Sequence, residues 1–145
     1  YVEAIHPTGL SLWSPEPAIL LSEFRVVGLA LAACEKSVQM VYERQLRPVA
    51  AQHEPWVQRV RGQLLAAYAA LEDEVQRQPS LFENKHRQAV ISAAVAWQFT
   101  QSMLAREVDT SRHPALAALS ARLEQEAEFI KYPPDGPGVP GASLA

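Results

Sequence analysis

The sequence has little of several things that would assign it quickly. Among its 145 residues there is one cysteine, Cys34, so no internal disulfide can form, and an intracellular, reducing home is the simplest reading. It has no basic excess. Thirteen Lys and Arg face sixteen Asp and Glu for a net charge of −3, which supplies no footprint for nucleic acid. It lacks long apolar runs: the longest, such as Val26 to Cys34 and Ala89 to Trp97, are about nine residues, whereas a spanning helix needs about 20, so no membrane span is expected. No segment alternates apolar and polar residues as a strand would, no internal repeat is visible, and the first residues lack the order of a signal peptide. His6, His53, His86 and His113 stand at no metal-ligand spacing with one another or with Cys34, and His53-Glu54 lacks the second histidine of a zinc-hydrolase helix, so no metal site is expected.

What the chain does have is helical periodicity. With 48% apolar and 20% charged residues it has the composition of a globular domain, and its length suits one. Residues 1–7 (YVEAIHP) read as the last turn or two of a helix stopped by proline, with something standing before it. Residues 6–17 (HPTGLSLWSPEP) hold three prolines and a glycine and read as a linker, with Leu12 and Trp13 packing along the domain surface. We therefore divide the chain into 1–15, the end of a preceding domain and a linker; 16–132, a helical bundle; and 133–145, a Pro/Gly-rich tail that should be extended or disordered.

Within the bundle, the first helix is expected from about Glu16 to Arg47, between Pro17 and Pro48, with Leu20, Phe24, Val27, Leu31, Cys34 and Val38 recurring at spacings of three and four. A second, about Glu54 to Arg77, carries the seam Val57, Val60, Leu64, Ala67, Leu71 and Val75, and the short connection makes the two an antiparallel hairpin. A third spans about Lys85 to Arg106. Its middle, Ala89 to Trp97, is apolar on every side and places it at the centre, enclosed all round. A fourth covers about Pro114 to Glu128 with Leu116, Leu119 and Leu123 on one face, after which Phe129, Ile130 and Tyr132 fold back onto the core. The fold class is all-α, a bundle of four to five helices around a central buried one.

Four features in this order resemble the carboxy-terminal helical domain of glutathione transferases, especially bacterial ones: the proline-stopped opening and linker; VYERQLRP (41–48) followed by HEPW (53–56) and RVRG (59–62); the central apolar helix; and HPAL (113–116) with Leu119 and ARL (121–123). No single motif is highly specific; order and spacing carry the resemblance. One departure is at the start of the central helix. There the family usually has a threonine or serine with an aspartate three residues later, a capping box, and this chain has Asn84, Lys85, His86, Arg87 and Gln88, leaving Asn84 or Lys85 as the expected cap.

The resemblance implies a function. In that family a thioredoxin-like domain binds glutathione and stabilises its thiolate, the nucleophile. The helical domain supplies the wall for the second, hydrophobic electrophilic substrate. It implies no catalytic residue in this chain, glutathione as a cosubstrate held mainly by the other domain, a homodimer, a cytoplasmic setting, and an inactive chain when alone. By matching position it places Cys34, Glu35, Lys36, Gln39, Met40 and Trp97 in the substrate wall. The bland alternative makes Glu35 and Lys36 a solvated helix face or dimer contact, and Trp97 core. Cys34, mid-helix on an apolar seam and off the face of Lys36, reads as a structural thiol rather than a nucleophile. Arg44, Arg47, Arg59 and Arg61 gather near the hairpin turn, where Glu43 and Glu54 can pair with them. Two other functions stay open: a non-catalytic interaction module of the same fold, and a helical bundle of unrelated role.

Overall fold

The computed structural model describes Ile5 and residues 11–133, so the expectations for the opening helix end and for most of the tail lie outside the described residues. Among the described residues 11–133 five α-helices follow one another: α1 (Pro17–Val41), α2 (Glu54–Arg77), α3 (Gln88–Leu104), α4 (Pro114–Leu123) and α5 (Ala127–Lys131). Pro17, Pro55 and Pro114 each sit in a first helical turn, where a missing N–H costs nothing. α1 runs on through a π-helical turn, Tyr42–Leu46, and meets α2 after a short 3-10 turn. The hairpin end is tied by Arg44–Glu54 at 3.0 Å, Arg47–Glu43 at 2.8 Å, and the His53 amide donating to Glu43 Oε1 at 2.8 Å. Arg61 reaches Glu107 instead, at 2.8 Å. α1 packs along both α2 and α3, and α4 closes against α3 and α2.

The expected α2 seam is inside: Val57, Val60, Leu64, Ala67 and Leu71 are buried and Val75 packs against the core. So are Leu116, Leu119 and Leu123 of α4.

α1 departs from expectation. Its buried face is Glu23, Val26, Ala30, Ala33, Ser37, Met40 and Val41, not the seam of larger residues beside it. Phe24 is 53% and Leu31 62% exposed, and Leu20, Val27, Cys34 and Val38 are only partly covered. The reason is spacing between axes. Ala30, Ala33 and Ser37 let α1 lie close to the alanine-rich α3, and Ser37 Oγ and Thr100 Oγ1 are 2.6 Å apart across that contact. Larger side chains would hold the helices apart.

α3 starts at Gln88, three residues later than expected, and neither Asn84 nor Lys85 caps it. Asn84 instead accepts the His86 amide in a preceding turn, and the Gln88 amide donates to the linker carbonyl of Leu12 at 2.9 Å. Nor is the central helix enclosed all round. Ala89, Val90, Ala93, Ala94, Ala96 and Trp97 are buried, but Ile91 and Ser92 are half-covered and Val95 is 51% exposed.

The fourth expected helix is two. α4 stops at Leu123 and α5 begins at Ala127, so of the three residues expected to fold back only Phe129 touches the core, while Ile130 and Tyr132 are exposed.

The helical run Pro17–Leu46 is also long and apolar enough to cross a membrane by length and composition alone, with a window of mean hydropathy 1.7 that is 22% buried. Counting uninterrupted apolar residues overlooks it because Glu23 and Arg25 break the run. Both are used in the bundle: Glu23 Oε2 accepts the Ser14 amide at 2.7 Å, and Arg25 Nε meets Glu74 Oε1 at 2.6 Å. A helix of a bundle passes the same test.

Two polar devices hold the interior. Tyr68 donates its hydroxyl to the Ala96 carbonyl at 2.8 Å, with Thr100 Oγ1 2.5 Å away, so α1, α2 and α3 share one chain of buried hydroxyls, each with a partner. Buried Glu72 of α2 accepts the Ala115 and Leu116 amides, each at 2.9 Å, and so caps α4 from outside its own sequence.

Candidate functional site

The face α1 turns away from the bundle is unusual for a helix with two helical neighbours. Leu21 at 71%, Phe24 and Leu31 stand exposed along it, with Gly28 between them and partly covered Val27, Cys34 and Val38 alongside. Past Leu31 the strip turns polar. Gln39 Nε2 donates to Glu35 Oε1 at 2.7 Å, and Lys36 Nζ donates to Gln39 Oε1 at 3.4 Å, so three of the expected wall residues form one hydrogen-bonded row one turn long. The i, i+4 and i, i+3 spacings place them there. Tyr42, exposed, ends the row.

The other three are placed differently. Cys34 is half-buried at the inner edge of the strip. Burial, and then the charge of Glu35, push its thiol above the ordinary range, so it holds its proton and is a poor nucleophile. Met40 is fully buried and Trp97 nearly so. Trp97 meets Tyr68 edge-on at 5.3 Å and tilts against His113 at 5.4 Å, and His113 is fixed through Nδ1 to the Asp109 carbonyl at 2.9 Å. Burial outweighs the hydrogen bonds of Tyr68 and holds its phenol well above the ordinary range, so it stays neutral. The structure thus gathers Glu35, Lys36 and Gln39 on a surface row beside Cys34, and sets Met40 and Trp97 behind it in the core.

Leu31 and Tyr42 are exposed along the α1 face, and Val95 is exposed on α3. Periodicity puts Leu31 in the core seam and Val95 in an enclosed helix, and both are more than half exposed. Among the described residues no three His, Cys, Asp or Glu side chains gather as metal ligands. The row can offer a flat apolar surface with one carboxylate, one ammonium and one amide at its end.

An all-α bundle with a long antiparallel hairpin, a small-residue central helix and a short capped helix behind it has the fold of the carboxy-terminal domain of glutathione transferases. Two solved structures share it. A glutathione S-transferase from Methylobacterium radiotolerans, in complex with glutathione sulfonate, superposes at a TM-score of 0.76 with 27% identity over 90% of this chain and 60% of that one. A glutathione transferase family member from Pseudomonas fluorescens Pf-5, with bound S-(propanoic acid)-glutathione, gives 0.81 and 24% over 94% of this chain and 68% of that one. The chain spans about three fifths of the length of the first. No family model and no curated protein matches the sequence.

Proposed function

We propose that the chain is the electrophile-binding wall of a glutathione transferase, working with a thioredoxin-like domain that holds glutathione. The observation that carries this reading is the exposed apolar strip of α1, Leu21 to Leu31, with Trp13 against Phe24 at 4.8 Å, running into the polar row Glu35, Lys36 and Gln39. A hydrophobic substrate gains by covering such carbons, and the row orients its polar head. The half-open stripe Ile91, Ser92 and Val95 of α3 offers surface for the second domain. Two structures of the same fold bind glutathione derivatives, which supports glutathione as the cosubstrate.

In this reading Glu35, Lys36 and Gln39 contact the electrophile directly, Cys34 lines its edge, and Met40 and Trp97 set the position of the wall from behind. The chain provides no catalytic group: the nucleophile is the glutathione thiolate, activated in the other domain. The working protein is a cytoplasmic homodimer, in keeping with one unpaired thiol and exposed apolar surface.

The same exposed strip also suits a second reading, a non-catalytic module docking another protein. Retention on immobilised glutathione and conjugation of 1-chloro-2,4-dinitrobenzene separate them. The product of the whole gene is expected to bind and turn over, and the 145-residue chain to do neither. A folded whole product that neither binds nor turns over would overturn the transferase reading.

A further inference from the structure

A cleft of about 450 Å³ lies apart from the α1 row, between the first turns of α1, the end of α2 and the approach to α3. At its base is Glu23, fully buried, whose Oε2 takes the Ser14 amide while Oε1 has no hydrogen-bond partner. Arg87, mostly covered, brings Nε to 3.5 Å of that oxygen, beyond a good hydrogen bond, and its guanidinium makes no other polar contact among the described residues. A buried carboxylate oxygen facing a cation without closing a bond to it is an open pair, and buried charges ordinarily complete their hydrogen bonding.

The remaining valences are sorted by kind. Gln78 spends one amide N–H on Glu74, at 2.8 Å, and keeps its side-chain carbonyl oxygen as an acceptor. Ser22 donates to the Ala18 carbonyl at 3.4 Å and keeps its lone pairs. The cleft therefore sets the Glu23 carboxylate and the Gln78 and Ser22 oxygens near the Arg87 guanidinium, while Ile19 and Leu81 supply an apolar side. A lone cation would meet Arg87 and a lone anion would meet Glu23. A molecule carrying both charges a few bonds apart satisfies each.

We propose that this cleft binds a free α-amino acid with an apolar side chain, its ammonium on Glu23 Oε1, its carboxylate on Arg87, and its side chain against Ile19 and Leu81. The inference is independent of the transferase reading.

L-leucine titrated into the isotope-labelled 145-residue chain tests it, read by backbone amide shifts. Saturable shifts are expected in residues 14–23 and 78–88. The one-charge analogues, isopentylamine and 4-methylpentanoate, should bind at least about tenfold more weakly, because each engages only one member of the Glu23–Arg87 pair. Glu23→Gln should narrow the gap between leucine and 4-methylpentanoate, and Arg87→Gln the gap between leucine and isopentylamine. Should these buried variants not fold, Ile19→Arg, on the exposed rim, keeps the question answerable: its own cation fills the site and should abolish leucine binding with the fold intact. Absence of saturable shifts, equal binding of either one-charge analogue, or leucine shifts unchanged in Ile19→Arg would each overturn the proposal.

Discussion

At the residue scale, carboxylates govern this domain more than its apolar side chains suggest. Glu72 carries the sharpest case: α4 has no side-chain cap of its own, and the carboxylate from α2 satisfies two of its first amides. Glu72→Ala should cost about 1–2 kcal/mol, the usual worth of a cap, measured by urea denaturation, and should raise hydrogen exchange first in α4. Glu74 sets a pH dependence. Burial alone would raise its carboxyl, but hydrogen bonds from Arg25 and Gln78 and the charges of Arg77 and Arg25 outweigh that and hold it below the ordinary value. A depressed folded-state pKa contributes stability above the unfolded carboxylate range, about 4.3, and loses it as pH falls through the folded value. Thermal melts should therefore weaken on acidification below that range, and Glu74→Gln should flatten the acid limb while lowering stability near neutrality. The thiol of Cys34 should react slowly with a disulfide reagent at pH 8, and faster in Glu35→Gln, which removes one of the two causes that raise its pKa.

At the element scale, much of the fold was legible. The α2 seam and the α4 leucines are buried as their spacing requires, because each helix has a single apolar stripe and only one way to hide it. α1 was legible as a helix but not in its orientation. It carries two apolar stripes, one of large residues and one of small ones with Glu23 and Ser37, and periodicity ranks the larger stripe first. The bundle buries the smaller because α3 is built of alanine and close approach gains more contact. Nothing local in the sequence shows which partner a stripe will meet. The cap of α4 was hidden for the same reason, since Glu72 lies more than forty residues away. Of the six wall residues, the row of three follows from helical spacing, while the burial of Met40 and Trp97 depends on neighbours that spacing does not reveal. Two substitutions separate the stripes: Leu31→Gln should change the stability of the chain by no more than about 0.5 kcal/mol, whereas Ala33→Leu should cost about 1–3 kcal/mol by forcing α1 away from α3.

At the scale of the whole molecule, the domain buries one face of each long helix and leaves the apolar strip of α1 and the Val95 side of α3 open. A bundle that needed only to be stable would place polar residues there. We propose that these surfaces meet a substrate and a second domain, and the most direct test separates the two ligands of one reaction. In a product of the whole gene first shown to bind glutathione, Gln39→Ala combined with Leu31→Ala should raise KM for 1-chloro-2,4-dinitrobenzene by about tenfold, the worth of one lost hydrogen bond and some apolar contact, and leave KM for glutathione unchanged. A double variant that turns over both with unaltered constants would contradict the assignment of α1 as the wall.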